Sequence, residues 1–443
     1  MELKGKRAMV IGLGVSGSAA ARLLAARGAE LILTDRRENL ASALSAEFPA
    51  AAIHLGEEDP RWLDGVELVV ASPGVPPTSP LMRAARAAKI QLIGELELAS
   101  RFISAPIVAV TGTNGKSTVV VLLGEIFREA RYRTFVGGNL GTALAEAVDG
   151  DYEIVIAEVS SYQLELTETF KPRVAIYLNL SDDHLGRYAS LEEYGAAKAR
   201  IFAYQDRCDW AAMNRDDPYV RRLADKVAAR VISFSAAETA RRPALWCDDD
   251  TIVFASDGHL AQISLSGFKL PGIHNRSNAM AAAAGALAMG IAPAIIQRAL
   301  IQCRSLPHRI EFVAEKHGVT YIDDSKGTNV GAVIQALGTV GAPVILLAGG
   351  VDKGGDYAPL IAPLREKVKL LIPYGAARVK MRAALAGSTK IEVVMTLAEA
   401  VHLAASRAVR GDTVLLSPAC SSFDQFKDYA DRGRVFQELV RAL

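Results

Sequence analysis

The run Gly112-Thr113-Asn114-Gly115-Lys116-Ser117-Thr118 has the residue types and spacing of a loop that holds phosphate. Glycines let backbone N–H groups close on phosphate oxygens, and the N-terminus of a following helix adds partial positive charge. Lys116 can reach the terminal phosphates of a nucleotide, and Ser117 can ligate Mg²⁺. The loop is two residues shorter than the G-x-x-x-x-G-K-[ST] pattern, because Val110 stands where that pattern has its first glycine. That departure sets the chain apart from ordinary P-loop NTPases. A glycine turn with an incidental lysine is the plainer alternative. The predicted strand before the loop and helix after it are what phosphate binding requires.

Other candidates for chemistry follow the next predicted strands. Glu158 closes the apolar run Ile154-Val155-Ile156-Ala157, and a carboxylate at a strand end near a phosphate loop is placed to hold Mg²⁺. Asp182, Asp183 and His184 come after the run 174–178 and Asn179. A lone histidine is more often structural, but one beside a metal is a candidate ligand. Lys198 falls in the helix after that. A free ammonium repels Mg²⁺, so a solvated helix lysine is the default reading. Only if carbamylated by CO₂ would Lys198 become the anionic oxygen donor that Mg²⁺ prefers.

A second glycine cluster, Gly12-x-Gly14-x-x-Gly17, follows the apolar run 7–11. It matches the dinucleotide fingerprint, with Asp35 at the spacing of a ribose-binding acid. A nicotinamide-dependent oxidoreductase is the rival reading here, and a tight turn for strand–helix packing is the structural one. A chain with this loop and a separate ATP loop more readily binds two nucleotides, one of them as part of a substrate. Further on, the polar runs 321–329 and 349–355 carry Lys326 and Lys353. Both suit ordinary loops. Lysines at strand ends also suit an anionic second substrate.

The elements that must position these residues alternate. Strands are expected at 7–11, 31–34, 67–71, 105–110, 154–157, 174–178, 344–348, 370–373 and 414–416. Helices are expected at 18–27, 118–130, 190–204 and 275–289, the last with Asn275 as its N-cap. Such alternation predicts open parallel sheets with covered faces, and these bind ligands at the carboxyl ends of their strands. With 443 residues, half of them hydrophobic and 22% charged, the chain has the make-up of a globular protein of several domains. New units begin near Glu95 and after Leu306-Pro307-His308, which predicts domains at 1–94, 95–305 and 306–443.

Net charge is +1, so no global field favours nucleic acid or anionic lipid. No apolar run reaches the ~18 residues of a membrane span. The N-terminal residues lack a signal-peptide cleavage site. Cys208, Cys247, Cys303 and Cys420 stand far apart, which argues for reduced thiols in a cytoplasmic protein rather than a disulfide framework or zinc site.

Taken in order, these motifs resemble the Mur ligases over the whole chain. The resemblance is carried by Gly112 to Thr118, Glu158-Val159-Ser160-Ser161, His274-Asn275-x-x-Asn278 and Leu306-Pro307-His308-Arg309. The runs Asp324-Ser325-Lys326-Gly327-Thr328-Asn329 and Ser417-Pro418-Ala419-Cys420-Ser421-Ser422-Phe423-Asp424-Gln425-Phe426 resemble those of the members that add D-glutamate. The resemblance implies an α/β protein of three domains. These are a Rossmann-like N-terminal domain for a UDP-linked substrate, a central P-loop-type ATPase domain, and a Rossmann-like C-terminal domain for an amino acid. It implies a monomeric cytoplasmic ligase that adds D-glutamate to UDP-N-acetylmuramoyl-L-alanine at the expense of ATP. Such a ligase serves peptidoglycan synthesis, and through it cell wall biogenesis, cell shape and cell division.

The same resemblance implies roles residue by residue. Val15, Ser16, Asp35, Arg36, Gly74, Asn139 and His184 would bind the UDP substrate. Gly112, Thr113, Asn114, Gly115, Lys116, Ser117, Thr118, Asn275, Asn278, Arg309, Asp324 and Lys326 would bind ATP. Of two Mg²⁺ ions, Ser117 and Glu158 would hold one, and His184 and a carbamylated Lys198 the other. Lys116, Glu158, His184 and Lys198 would form the catalytic set. Thr328, Lys353, Ser422, Phe423 and Tyr429 would surround D-glutamate. Two positions depart from the family pattern. Asp352 precedes Lys353 where a glycine is expected, and Phe423 stands where a smaller aliphatic residue is common.

Overall fold

In a computed structural model the described residues are 1–182, 187–238, 242–256, 258–270, 272–303 and 307–443. They fall into two compact units. The first comprises Met1–Asn179, Gly195–Ser266 and Ser277–Leu300, and the second Leu180–Tyr194, Gly267–Arg276 and Ile301–Leu443.

The first unit holds two sheets. One is five-stranded and wholly parallel, with β1 (Arg7–Ile11), β2 (Glu30–Asp35), β3 (Ala52–Leu55), β4 (Leu68–Ala71) and β5 (Gln91–Gly94) in the order β3-β2-β1-β4-β5. The chain leaves β1 toward β2 on one side and returns to β4 on the other. That reversal opens a crevice beyond the carboxyl ends of β1 and β4. Gly17, near the start of the helix Val15–Ala26, packs so closely that a Cβ there would overlap the Gly12 carbonyl oxygen.

The second sheet has nine strands: β6 (Ile107–Thr111), β7 (Thr134–Gly138), β8 (Ile154–Glu158), β9 (Val174–Tyr177), β10 (Trp210–Asn214), β11 (Arg230–Ser235), β12 (Ala244–Asp248), β13 (Thr251–Ser256) and β14 (His259–Ser264). Their order is β14-β13-β12-β11-β10-β9-β6-β8-β7. Every residue of β6 and β8 is buried, as expected of parallel strands covered on both faces. The strand β6 lies between β8 and β9, so the loop after it emerges at the middle of the sheet.

Strand–helix alternation alone predicts a parallel sheet, but β12, β13 and β14 pair antiparallel. They form a meander whose first turn is made by Asp249, with φ +47°, and Asp250. The six-residue helix Glu95–Ser100 is buried from Glu95 through Ala99 and packs on the turn Leu144–Ala147, so one core runs between the two sheets of this unit.

The second unit is built on a six-stranded sheet: β15 (Glu311–Lys316), β16 (Val319–Asp323), β17 (Val344–Gly349), β18 (Val368–Tyr374), β19 (Lys390–Ile391) and β20 (Thr413–Leu416). The order is β15-β16-β20-β17-β18-β19, parallel except for β15 against β16. The ends of β16, β17 and β20 bring Asp323, Gly349 and Leu416 to one edge.

The helices expected at 18–27, 118–130, 190–204 and 275–289 each depart from their expected limits, and two of the departures have a visible cause. Asn275 is not a cap, because the helix Ile273–Ala288 begins before it. The Gly272 carbonyl accepts from the Asn275 and Arg276 N–H groups at 3.0 and 3.3 Å and takes the capping place. The helix expected over 190–204 spans Leu191–Ala199 and tightens into a 3₁₀ turn, Arg200–Phe202. There the Arg200 guanidinium turns to the carbonyls of Leu164 and Thr167. Among the described residues, no helix is long and apolar enough to cross a membrane.

Candidate active site

The crevice beyond β1 and β4 is a cleft of roughly 470 Å³. Val15, Ser16, Asp35, Arg36, Gly74 and Asn139 all line it. Asp35 Oδ2 accepts from the Leu13 N–H at 2.7 Å, and both oxygens accept from Arg37. Burial alone would raise the Asp35 carboxyl. The Arg37 guanidinium and the Leu13 and Arg37 N–H groups outweigh it and hold the group at about 2. Arg36 leans on Glu58 at 3.3 Å, and Glu58 also accepts from Ser79 Oγ and the Leu81 N–H. Glu58 was not singled out by its surroundings in the sequence, an acidic loop that reads as solvated surface.

The loop after β6 is held from several sides. Asn179, at the exit of β9, accepts from the Thr113 N–H through its backbone oxygen and from the Asn114 N–H through its amide oxygen, both at 2.9 Å. Its amide nitrogen donates back to the Asn114 carbonyl at 3.1 Å. Gly115 turns with φ +86°, and Asn278 Oδ1 stands where a side chain at 115 would go. The helix Lys116–Glu129 starts at this point. Lys116 Nζ folds over the loop and donates to the carbonyls of Gly112 and Thr113, each at 2.9 Å. Lys198 is 1% exposed, and its Nζ also donates to the Gly112 carbonyl at 2.9 Å. Two ammonium groups therefore converge on one carbonyl of the phosphate loop.

Beside them Ser117 Oγ donates to Glu158 Oε2 at 2.6 Å, and Asn139 Nδ2 to Glu158 Oε1 at 2.7 Å. Glu158 is 2% exposed. Hydroxyl and carboxylate donors of this kind suit a hard cation such as Mg²⁺. Thr118 Oγ1, one residue on, is buried with no partner among the described residues. Asp183 and His184 lie outside the described residues. Asp182 belongs to the second unit.

In the second unit a cavity of roughly 190 Å³ is lined by Thr328 and Lys353, with Asp182, Asn329, Asp352 and Tyr357 among its other walls. Lys353 Nζ approaches Thr328 Oγ1 at 3.4 Å. Ser422, Phe423 and Tyr429 are not part of this lining: Ser422 is buried, Phe423 is 71% exposed, and the Tyr429 ring lies under Lys326 Nζ at 3.9 Å. Asp324 is buried, and Ser417 Oγ donates to it at 2.7 Å. Burial pushes its carboxyl up to about 7, against the pull of Ser417 and Arg309. His274's own burial lowers it to about 4, and the Arg309 cation adds to the effect. Asn275 is buried in this unit, and Arg309 Nε is buried without a partner among the described residues.

Arg432 is a residue whose part here the sequence does not disclose. It is fully buried on the helix Tyr429–Ala442. Its guanidinium donates to Ser325 Oγ at 2.9 Å, to the Ser325 carbonyl at 2.8 Å and to the Cys420 carbonyl at 3.2 Å, tying the loop after β16 to that after β20. The donor atoms of His308, Glu311 and Asp323 lie within 4.8 Å of one another. The Gln437 amide donates to Glu311 and Asp323, each at 3.0 Å, so this cluster ties the last helix to the sheet.

An α/β protein with a clamped phosphate loop, two lysines upon it and a separate nucleotide cleft belongs to the class that spends a nucleoside triphosphate on a second, nucleotide-linked molecule. Three family descriptions match in succession: the Mur ligase MurD-like N-terminal domain over residues 6–94, the Mur ligase middle domain over 110–286, and the Mur ligase glutamate ligase domain over 308–420. The chain belongs to the Mur ligase family. Similar relatives include the UDP-N-acetylmuramoylalanine--D-glutamate ligases of Geotalea daltonii and Geobacter metallireducens. These are 45% and 44% identical over all of this chain and 99% of each relative. Among solved structures, a pseudomurein peptide ligase type C from Methanothermus fervidus has the same fold. Its TM-score is 0.64 at 20% identity, over 99% of this chain and 100% of that one.

Proposed function

We propose that the chain joins D-glutamate to UDP-N-acetylmuramoyl-L-alanine and converts ATP to ADP and phosphate, as a cytoplasmic monomer in peptidoglycan precursor synthesis. The observation that carries this reading is the likeness, unbroken along the chain, to relatives named for that ligation. Residues 1–94 take the UDP substrate in the cleft around Val15, Ser16, Asp35, Arg36, Gly74 and Asn139. Residues 95–305 take ATP on the loop Gly112 to Thr118, and residues 306–443 take the amino acid at Thr328 and Lys353. The family resemblance assigns Asn275, Asn278, Arg309, Asp324 and Lys326 to ATP binding. The same resemblance assigns Ser422, Phe423 and Tyr429 to D-glutamate, although they do not line the cavity of Thr328 and Lys353.

A carboxylate is a poor electrophile toward an amine near pH 7. Transfer of the γ-phosphoryl group makes it an acyl phosphate. The D-glutamate amine then attacks, and phosphate leaves through a tetrahedral intermediate. Lys116 meets the charge that gathers on the phosphoryl oxygens. Ser117 and Glu158 would hold one Mg²⁺, and His184 with a carbamylated Lys198 would hold the second. Bound there, the two ions would supply neutralisation of phosphate charge. His184 is read as a metal ligand and not as the base for the amine.

Omission tests the reading. Phosphate release, followed by a coupled colorimetric assay, is expected only with ATP, UDP-N-acetylmuramoyl-L-alanine and D-glutamate together. Steady release at the full rate with either acceptor missing would count against a ligase.

A further inference from the structure

Asp352 stands next to Lys353 and lines the same cavity. A carboxylate there works against recognition of an anionic amino acid, by repelling it and by competing for the lysine. The structure engages that carboxylate elsewhere. Asp352 Oδ1 accepts from the Tyr357 hydroxyl at 2.8 Å, and Oδ2 accepts from Lys380 Nζ at 2.6 Å. Tyr357 is 2% exposed, and its hydroxyl also contacts Cys420 Sγ at 3.2 Å, so it is a fixed anchor. Lys380 rises from the helix Arg378–Ala384 and lies 5.6 Å from the centre of the Tyr357 ring. A cation on a helix and a tyrosine on a loop thus hold one carboxylate between them.

We propose that Lys380 is a positioning residue of the amino-acid pocket: it draws the Asp352 carboxylate onto itself and cancels its charge, so that the wall beside Lys353 does not repel the carboxylate of the incoming amino acid. This rests on the reading that Thr328 and Lys353 receive D-glutamate. Without Lys380, the Asp352 charge stands uncompensated in the wall of the pocket, and the pocket loses attraction for anions. Without either charge, the attraction returns.

The experiment measures initial rates against D-glutamate concentration, with ATP and UDP-N-acetylmuramoyl-L-alanine saturating, for the parent, Lys380→Met and the double variant Asp352→Asn/Lys380→Met. Lys380→Met is expected to raise KM for D-glutamate about five-fold, the size of a partly exposed ion pair, with kcat and the other two KM values little changed. The double variant is expected to return KM for D-glutamate to within about two-fold of the parent, since removal of the second charge also removes the competition. An unchanged KM in Lys380→Met, or a double variant as impaired as the single one, overturns the inference while the proposed function stands. A parent that shows no D-glutamate-dependent turnover overturns the proposed function and this inference with it.

Discussion

Lys116→Ala is expected to lower turnover by about 10³-fold or more, the usual scale for removing one preorganised cation from a phosphoryl-transfer site. The expectation rests on where the side chain lies. Lys116 leaves the first turn of the helix Lys116–Glu129 and folds back across the loop, with its ammonium over the carbonyls of Gly112 and Thr113. A phosphate held by that loop would lie within its reach. The substitution also removes two hydrogen bonds from a partly exposed side chain, a stability cost of about 1–2 kcal/mol. The folded state should therefore survive, with its melting temperature lowered by only a few degrees. Phosphate release beside a thermal melt separates the two effects. Turnover within ten-fold of the parent in a folded Lys116→Ala variant would remove this lysine from the mechanism.

Lys198→Ala is expected to abolish turnover, and short carboxylates such as formate or acetate are expected to restore part of it. The buried Lys198 and the neighbouring Lys116 both donate to the Gly112 carbonyl. Two cations facing one oxygen in a buried site repel each other, and a cation there also opposes Mg²⁺. Uptake of CO₂ by the neutral amine, with loss of a proton, turns Lys198 into an anionic oxygen donor. A short carboxylate diffusing into the space left by alanine supplies the same kind of oxygen. Rates of the variant with and without added carboxylate, together with the mass of the intact parent, are the readouts. No rescue, together with an unmodified Lys198 in an active parent, would contradict carbamylation.

The parts of the fold that were legible in the sequence are those governed by local pattern. Buried parallel strands are continuous apolar runs, so β1, β6, β8 and β17 could be located to within a residue or two. The phosphate loop could be located because its glycines, lysine and serine are consecutive. What depends on neighbours distant in the chain was not legible. Asn179 reads as a spacer after β9. It becomes a clamp only because β9 lies beside β6 and brings it against Thr113 and Asn114. Arg432 reads as one more charge on an amphipathic helix, and its burial follows from two loops whose carbonyls face it. The meander β12 to β14 escapes an expectation built on strand–helix alternation, because its strands follow one another with no helix between them. Asn275 has the side chain of a cap. The backbone of Gly272 makes the contacts instead.

D-Glutamate is the amino acid that this chain is proposed to add. The most direct measurement offers the enzyme ATP and UDP-N-acetylmuramoyl-L-alanine with one amino acid at a time (D-glutamate, L-glutamate or diaminopimelate) and weighs the product by mass spectrometry. A product heavier by one glutamate residue is expected with D-glutamate, and starting material alone with the other two. Full conversion with L-glutamate or diaminopimelate would contradict it.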